Sequence, residues 1–507
     1  MLRVALRHEA GWYMELDLEP EDQVSDVKER IAKAWQVPVL CQRLTTHVLV
    51  CGVGSAVATN SDKLRDLGTP GKTLTFAVQV CVDGAIQELK QNMCASRTLA
   101  ALRALHELGL NCEEDDSIAA VVALVADAEP SIRQASVNAL GRIVAKGSEI
   151  AITVAACIED SDEHVRVSAV NALALLAEQG DQNVLSVVND LLRHRNPEVR
   201  SSALSAMEEV SEPGSDDGIS AAGECLEDSD RRVRDAAERA LAKVAGRGND
   251  YAVFMVSARL EHSSCDVRCS AVNALARVAA LRDERAINLL CIRLQDTDAR
   301  VREDAISALA ELSGGRGNQG VLTQVKACLT NRLPDARCAA LDALTLLAEE
   351  GDGETVAVVV GLLGDNEASV RRTALSALCQ LARPGDQCAV SALLALLVQH
   401  SDPEACTAAL QALAKLGPED VNVLEVVVAR GHDEDERVRF AALSTLIKIA
   451  PKGDTGAIAV AAACLEDHDA HVQGAALGVL ETLVVQQGDF PLEAVTLLRN
   501  HKDTKVQ

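Results

Sequence analysis

The segment "CIEDSDEHVRVSAVNALALL" (residues 157–176) has two counterparts of the same pattern in this chain of 507 residues. The same residue pattern recurs in "CLEDSDRRVRDAAERALAKV" at 225–244 and in "CLEDHDAHVQGAALGVLETL" at 464–483. Each copy has an acidic lead-in, a valine followed by arginine or glutamine, and a run of small and branched apolar residues. Copies placed so far apart predict a repeated structural unit rather than a single local helix.

The residue after the valine marks the period of the repeat. It falls at Arg133, Arg166, Arg200, Arg234, Arg268, Arg302, Arg337, Arg371, Cys406, Arg439, Gln473 and Gln507. Successive markers are 33 to 35 residues apart. Such a regular step is typical of units that stack on their neighbours, because a compact globular core imposes no constant period.

Each unit predicts two helices. After Val165 the apolar residues Ala169, Ala172, Leu173 and Leu176 form one stripe of an α-helix. Alanine stands three residues after the marker in ten of eleven complete copies, and leucine stands seven residues after it in ten. A second apolar stretch precedes each marker, so we expect a first helix packed against this second one.

Polar residues punctuate the units. Glycine and aspartate adjoin at Gly180-Asp181, Gly351-Asp352, Gly385-Asp386, Gly453-Asp454 and Gly488-Asp489, a helix stop followed by a cap. Four residues before the markers stand further aspartates, among them Asp162, Asp230 and Asp298, which we expect to cap the second helices. We expect the marker arginines, including Arg166, Arg200, Arg234, Arg268 and Arg302, to form a structural hydrogen-bond ladder with these aspartates.

The pattern D-x-D-x-x-V-R-x-x-A-x-x-A-L resembles HEAT repeats, particularly the short kind also seen in phycobilin-lyase-like proteins. The resemblance covers residues 84–507 and implies a mainly α chain, a right-handed α-solenoid of about eleven helical hairpins. The final "HKDTKVQ" reaches a marker without a following helix, so the last unit is expected to be incomplete. An uncapped last repeat predicts possible self-association through its open stacking face.

The first 80 residues follow a different pattern. "LRVALRH", "WYMELDLEP", "QRLTTHVLV" and "KTLTFAVQV" predict strands, with Trp12, Met14, Leu16 and Leu18 on one face of the second. "QVSDVKERIAKAW" predicts a helix between the two strand pairs. The order is that of a small α+β domain.

This domain, residues 1–82, resembles ubiquitin in "LEPEDQVSDVKERI", "VPVLCQRL" and "DKLRDLGTPGKTLTFAV". The resemblance implies a ubiquitin-like (β-grasp) fold. The apolar patch with which that family binds its receptors would fall on Thr45, Thr75 and Ala77, which are polar or small. We therefore expect weak binding to ubiquitin receptors.

Charge limits the partners. The formal net charge is −26, and the first 80 residues carry 9 Lys or Arg against 10 Asp or Glu, so nearly all of the excess follows them. Such a field disfavours nucleic acid and anionic membranes and favours basic or neutral protein partners. The sequence has no apolar signal core and no apolar run long enough for a bilayer, and its 16 cysteines include no Cys-x-x-Cys pair. We expect a cytoplasmic protein, with a nuclear location possible.

Few residues point to catalysis. Within the repeats His106-Glu107 is the one His-Glu pair, and His194 and His262 lie two units apart, too far to share a metal ion. We therefore predict no catalytic residue, no metal and no cofactor.

A polar line favours binding instead. Asn138, Asn171, Arg239 and Asn273 stand five residues after their markers, and the basic residues Arg142, Lys243 and Arg277 stand nine after theirs. If the solenoid curves as in the resembled family, this line faces its concave side and holds an extended or helical protein segment. The predicted function is a protein-interaction scaffold or adaptor. The alternatives are an adaptor of the ubiquitin-proteasome system, acting through the N-terminal domain, and a bilin-lyase-like HEAT protein.

Overall fold

The computed structural model describes residues 2–8, 11–46, 56–67, 73–91, 94–109, 115–399, 402–416 and 421–483. The chain divides into two compact units, Met1–Gly246 and Arg247–Gln507. No helix in the described ranges combines the length and apolar character needed to cross a membrane. The predicted stop at Gly488-Asp489, the incomplete last repeat at Gln507 and the self-association assigned to it lie outside the described residues.

The first unit begins with a five-stranded sheet in the order β2-β1-β5-β3-β4. Its strands are β1 (Leu2–His8), β2 (Tyr13–Leu18), β3 (Gln42–Thr46), β4 (Ala56–Val57) and β5 (Leu74–Val80). β1 pairs in parallel with β5, and the other pairs are antiparallel. The predicted strand-strand-helix-strand-strand order is present, with the two-residue β4 and a short helix α2 (Leu64–Leu67) as additions that the sequence pattern did not indicate.

Helix α1 (Val24–Trp35) covers one face of this sheet. The predicted apolar face is buried, since Val24, Val27 and Ile31 have no exposed surface. The side chain of Trp12 differs from its prediction, because it is 45% exposed. Residue 12 precedes β2 and stacks on His8 with ring centroids 4.7 Å apart, so it lies at the end of the sheet rather than beneath it.

Ten helices complete the described part of the first unit. First and second helices alternate, so that each pair forms one hairpin and the second helices pack side by side. They are α3 (Asp83–Gln91), α4 (Ala95–Leu108), α5 (Asp115–Val122), α6 (Pro130–Ile143), α7 (Ile150–Ala156), α8 (Glu163–Leu176), α9 (Gln182–Leu191), α10 (Pro197–Val210), α11 (Asp216–Glu224) and α12 (Arg231–Ala245).

The sheet domain packs directly on the first hairpin. The one-turn 3₁₀ helix Val39–Cys41 contacts α3 and α4, and the Cys41 thiol lies 3.8 Å from the main-chain oxygen of Ala104. Because Cys41 is fully buried, this contact belongs to a packed interface within the first unit. The domain boundary between 1–82 and 84–507 stays a prediction, while compactness divides the chain after Gly246.

The second unit consists of helical hairpins with the same alternation. Its described helices are α13 (Asp250–Ser257), α14 (Cys265–Val278), α15 (Glu284–Arg293), α16 (Ala299–Leu312), α17 (Gln319–Cys328), α18 (Pro334–Leu347), α19 (Gly353–Gly361), α20 (Ala368–Leu381), α21 (Gln387–Gln399), α22 (Pro403–Leu416), α23 (Val421–Arg430), α24 (Glu436–Ile449), α25 (Thr455–Cys464) and α26 (Ala470–Leu483).

The periodic alanines and leucines form the layer between neighbouring hairpins. Every periodic alanine from Ala169 to Ala476 is fully buried, and the periodic leucines are at most 7% exposed. Small side chains let adjacent helices approach closely, and the leucines fill the space between them. The predicted solenoid of helical hairpins is therefore confirmed in both units.

One hairpin is additional to the predicted count. Helices α3 and α4 form a pair before the first marker, with Thr98 in the marker position, 35 residues ahead of Arg133. Ala101 and Leu105 then occupy the alanine and leucine positions, and both are fully buried. The sequence motif does not identify this helix pair, because Thr98 follows an arginine rather than a valine. The described residues thus hold twelve hairpins.

Main-chain hydrogen bonds tie successive hairpins at their turns. Gly147, Gly180 and Gly351 each donate their N–H to a carbonyl at the end of the next second helix, at 2.7 Å in all three. These residues have φ between 81° and 83°, a conformation that glycine adopts without strain. The glycine-aspartate prediction is correct for Asp181, which caps α9, because its carboxylate accepts the N–H groups of Asn183 and Val184. It is wrong for Asp352, whose side chain forms no capping hydrogen bond with the main chain of α19.

Candidate binding face

The predicted polar line runs along the second helices. In the first unit Asn138 is half-buried on α6, while Asn171 on α8 and Arg239 on α12 are exposed. The side-chain amides of Asn138 and Asn171 have no hydrogen-bond partner among the described residues, although the main-chain oxygen of Asn138 lies 3.0 Å from Nδ1 of His106. Two amides in one repeat position are therefore free to bind.

The second unit presents the same position on its own second helices. Asn273 is half-buried on α14, and its amide likewise has no partner within the described ranges. Elsewhere in the line the hydroxyls turn back on their own helix. Ser205 Oγ donates to the carbonyl of Ser201 at 3.3 Å, and Ser307 Oγ donates to that of Glu303 at 3.1 Å. We call Asn138, Asn171 and Asn273 the amide row.

The basic residues beside the amide row differ in availability. Lys243 Nζ lies 2.7 Å from Oε1 of Glu209, and Arg239 Nε lies 3.9 Å from Oε1 of Glu208. Burial raises the pKa of Glu208, and the charge of Arg239 opposes that shift. These two predicted binding cations are therefore shared with carboxylates of the preceding hairpin.

Two other predicted cations remain unpaired. Arg142 on α6 and Arg277 on α14 are both exposed, and neither forms an ion pair within the described part of the chain. Each stands four residues after an amide-row residue, one turn along the same helix. Asn138 with Arg142, and Asn273 with Arg277, thus form two matched pairs of one free amide and one free guanidinium.

The marker arginines lie elsewhere, at the turns between first and second helices. Arg200 donates through Nε and Nη2 to the two carboxylate oxygens of Asp228 in the next hairpin, at 2.7 Å each. Its Nη1 donates to the carbonyl oxygens of His194 and Arg195 in its own turn. Bidentate pairs of the same kind join Arg133 to Asp160, Arg268 to Asp296, and Arg439 to Asp467.

The aspartate of each bidentate pair is not the one expected. Asp162, Asp230 and Asp298 cap the second helices as predicted, each accepting a main-chain N–H two residues ahead. The arginine partners Asp160, Asp228 and Asp296 stand two residues earlier in the chain. Each turn therefore has two aspartates with separate roles, and the expected pairing of the arginines with the capping aspartates is wrong.

The arginine pairs lower the pKa of their aspartate partners. Burial alone would raise the pKa of Asp228, but hydrogen bonds from Arg200 and from the N–H of Asp230 outweigh it, and the pKa is lowered. The same causes lower the pKa of Asp160 and of Asp296. These carboxylates are therefore held in their charged form near neutral pH.

The remaining ladder arginines pair in a second way. Arg166 donates to Glu198 Oε2 at 2.6 Å, and Arg302 donates to Asp335 Oδ2 at 3.2 Å, in both cases on the first turn of the next second helix. Arg234 donates to the main-chain oxygens of Asp228 and Ser229 in its own turn.

The sequence contains a signal for this alternation. Six residues before the markers from Arg166 to Arg371 stand Asp160, His194, Asp228, His262, Asp296, Asn331 and Asp365, so aspartate occupies alternate repeats over this stretch. At its two ends the alternation stops, because Asp127 precedes Asp160 and Asp467 follows Asp433 at the same position in consecutive repeats. In the intervening units the imidazole Nδ1 of His194 accepts the N–H of Asn196, and that of His262 accepts the N–H of Ser264, each at 3.1 Å. Histidine thus closes the turn as the aspartates do, but it offers no carboxylate to a preceding arginine.

The described residues hold no group of three His, Cys, Asp or Glu side chains placed to bind a metal ion. His194 and His262, which share one repeat position, are each engaged with their own turn. The unpaired groups on the second helices are therefore amides and guanidinium groups, which can form hydrogen bonds with a ligand.

Three solved structures are similar to this chain. The karyopherin Kap121p bound to the extreme C-terminus of the protein phosphatase Cdc14p is 12% identical, with a TM-score of 0.44, over 84% of this chain and 52% of that one. Kap121p bound to RanGTP is 13% identical, with a TM-score of 0.44, over 83% and 51%. An engineered protein is 21% identical, with a TM-score of 0.24, over 79% and 98%. The chain spans about half of the length of the Kap121p chains.

No curated protein sequence matches the chain significantly. A family model described as HEAT repeats matches residues 150–242, 253–345 and 390–481, which together make up more than half of the chain. These segments contain most of the periodic alanines, leucines and marker residues whose packing is described above. The chain therefore belongs to the HEAT-repeat family.

Proposed function

We propose that this protein is a non-enzymatic interaction scaffold that binds a segment of a partner protein along its second helices. The observation that carries the proposal is the state of the amide row: Asn138, Asn171 and Asn273 have no hydrogen-bond partners among the described residues. The ladder arginines, by contrast, are engaged within the protein. A recognition surface requires groups that are exposed and unpaired, and the amide row provides them at one repeated position.

The chemistry of an amide suits the main chain of a partner. Each asparagine side chain both donates and accepts, so it matches the N–H and C=O groups of an extended segment. Arg142 and Arg277 add a positive charge beside two of the three amides. The net charge of −26 favours a partner that is basic or neutral as a whole. The cytoplasmic or nuclear location belongs to the same proposal.

The test compares two triple variants of the full-length protein. Affinity capture from native cell extract identifies partners, and their affinities are then measured with purified components. We expect Asn138→Ala, Asn171→Ala and Asn273→Ala together to lower the affinity for a genuine partner by roughly tenfold or more. The matched control replaces Ser205, Ser307 and Ser444, in the same repeat position, by alanine and should leave affinity unchanged. Equal affinities of the two triple variants would contradict the proposal.

A second candidate is an adaptor of the ubiquitin-proteasome system, favoured by the sheet domain. Its strand order and covering helix fit a ubiquitin-like module, and Thr45 pairs directly with Ala77 across β3 and β5. The surface that would meet a receptor is polar or small, so we expect full-length protein to show no measurable binding to ubiquitin receptors. Binding that is abolished by Thr75→Arg and Ala77→Arg together would favour this second candidate.

A bilin-lyase-like activity is the third reading of the HEAT resemblance. It predicts colour or covalent transfer when the protein is mixed with a bilin and an acceptor protein. The scaffold proposal predicts neither, and absorption spectra of the mixture after gel filtration decide between them.

A further inference from the structure

One turn between hairpins departs from all others described. At the described positions where a turn residue donates its N–H to the end of the next hairpin, eight residues are glycines, and the ninth is Arg282. Arg282 has a φ of 65°, and its N–H donates to Leu312 O at 2.7 Å, as the glycines do to their own acceptors. This conformation is uncommon for any residue with a side chain.

The neighbouring hairpin makes room for this arginine. At four of the other turns the glycine faces a long side chain; a Cβ on Gly147 would lie 2.9 Å from Glu178 Oε1, and a Cβ on Gly351 would lie 3.0 Å from Arg383 Nε. At Gly248 the facing side chain is that of Ala280, and at the remaining three turns a Cβ would meet nothing within 4 Å. At the exceptional turn the facing residue is Gly314, where a Cβ would lie 3.0 Å from Arg282 Nε. The large and small residues have exchanged places at this turn, so the long side chain belongs to the turn residue itself rather than to the facing residue.

Arg282 is exposed and lines a cavity. A cavity of about 550 Å³ between α15 and α17 is lined by Arg282, Glu284, Arg316, Asn318 and Gln324, among others. Neither Arg282 nor Arg316 forms an ion pair with any residue that the structure describes. Two positive charges therefore share a cavity with a single lining carboxylate, that of Glu284, in a protein whose net charge is −26.

The other polar groups of the cavity are partly engaged. Asn318 accepts the N–H groups of Gly320 and Val321 and donates to Ser313 O, so its amide is occupied. The N–H groups of Gly320 and Val321 are therefore already satisfied, and the side chains left for a ligand are the two guanidinium groups and the exposed amide of Gln324. All three can donate hydrogen bonds, and two carry charge.

We propose that this cavity binds a phosphoryl group. A phosphomonoester carries nearly two negative charges and three acceptor oxygens, which matches two guanidinium groups better than a carboxylate does. Bidentate arginine contacts to phosphate are short and strong in a partly enclosed site. Inorganic phosphate and a phosphorylated side chain of a partner share this chemistry. Only the second source rests on the scaffold function proposed above.

The experiment titrates full-length protein by isothermal calorimetry in a low-chloride buffer. The probes are inorganic phosphate, a short Gly/Ala peptide with one phosphoserine, and the same peptide with glutamate in its place. We expect both phosphoryl probes to bind and the glutamate peptide to bind at least roughly tenfold more weakly. Tighter binding of the phosphopeptide than of phosphate would assign the source to a protein, and equal binding would assign it to free phosphate.

Four variants identify the cavity. Arg282→Gly restores the residue found at the equivalent turns, so it should fold normally, which thermal unfolding by circular dichroism checks. It and Arg316→Ala should each weaken phosphate binding by roughly tenfold or more, and Glu284→Gln should strengthen it. Arg247→Ala is the matched control, because Arg247 also precedes a turn glycine but lies outside the cavity. It should bind phosphate as the unmodified protein does.

Failure of this inference is distinguishable from failure of the proposed function. Phosphate binding should be unchanged in the Asn138, Asn171 and Asn273 triple variant, whose substitutions lie outside this cavity. The inference is overturned if phosphate does not bind, if the glutamate peptide binds as tightly as the phosphopeptide, or if Arg282→Gly and Arg316→Ala bind phosphate as Arg247→Ala does.

Discussion

Neighbouring hairpins are joined by two kinds of arginine–carboxylate contact, which we call the bidentate step and the solvated step. The arginine at the marker position takes part in both. Arg200 meets Asp228 through two parallel hydrogen bonds, and these side chains are 13% and 12% exposed. Arg166 is more deeply buried, at 3%, but its partner Glu198 is 46% exposed and is also shared with Arg232. A buried bidentate pair and a pair with one solvated partner differ in strength, although a marker-based motif represents them as equal.

The comparison predicts that Asp228→Ala is among the most damaging single changes at these turns. It leaves the buried guanidinium of Arg200 without its partner and also removes the acceptor for the N–H of Asp230. Breaking a buried ion pair in this way costs about 3 kcal/mol in the free energy of unfolding. Urea unfolding followed by far-UV circular dichroism measures the effect.

The control for that substitution is Asp235→Ala, which removes an exposed carboxylate 3.7 Å from Arg231 on the same helix. Its unfolding free energy should change by less than about 0.5 kcal/mol. Tryptophan fluorescence gives a second readout, because Trp12 and Trp35, the only tryptophans, both lie in the sheet domain of the first unit. Similar losses for Asp228→Ala and Asp235→Ala would mean that the bidentate step has no special role.

Acid should weaken the bidentate step specifically. The pKa of Asp228 is lowered from 3.8, so its pair contributes stability above that value and loses it as the pH falls through the folded-state pKa. Asp228→Asn should therefore cost about 2 kcal/mol at pH 7, and the difference from the unmodified protein should shrink at pH values below 3.8. Urea midpoints measured from pH 7 to pH 3 test this, and a constant difference would contradict it.

The solvated step should show the smallest effect. Glu198→Gln removes one charge from a half-exposed carboxylate, so the free energy of unfolding should fall by less than about 1 kcal/mol. The change should be nearly abolished by 0.5 M salt, because exposed pairs are screened. A loss as large as that of Asp228→Ala at either salt concentration would show that the two kinds of step are equivalent.

Local patterns explain which expectations succeeded. The stripe of Val165, Ala169 and Leu173 needs only helical geometry to place it on one face, and burial of that face follows from its composition. The capping role of Asp162 is equally local, since its partners are two and three residues ahead. The first hairpin was missed because Thr98 lacks the preceding valine, although its spacing and its buried Ala101 carry the same period.

Contacts across the stack were harder to predict. Both Asp160 and Asp162 immediately precede the same helix, so the sequence alone does not distinguish them as partners of Arg133. The position of the next hairpin relative to Arg133 decides that Asp160 is the partner. The amide row was identified from its spacing, but its availability, and the engagement of Lys243 with Glu209, required the positions of neighbouring side chains. The cavity at Arg282 gave no sign in the repeat motif beyond one missing glycine.

The sequence by itself determined the unit of this protein: its length, its two helices, its caps and its alanine-leucine layer. These follow from interactions within about a dozen residues, for which chain spacing and side-chain chemistry suffice. Tertiary structure alone decided which aspartate meets each arginine, which amides stay free, and how Arg282 and Gly314 exchange places. Such contacts join residues about 30 positions apart, and their geometry depends on how one hairpin sits on the next.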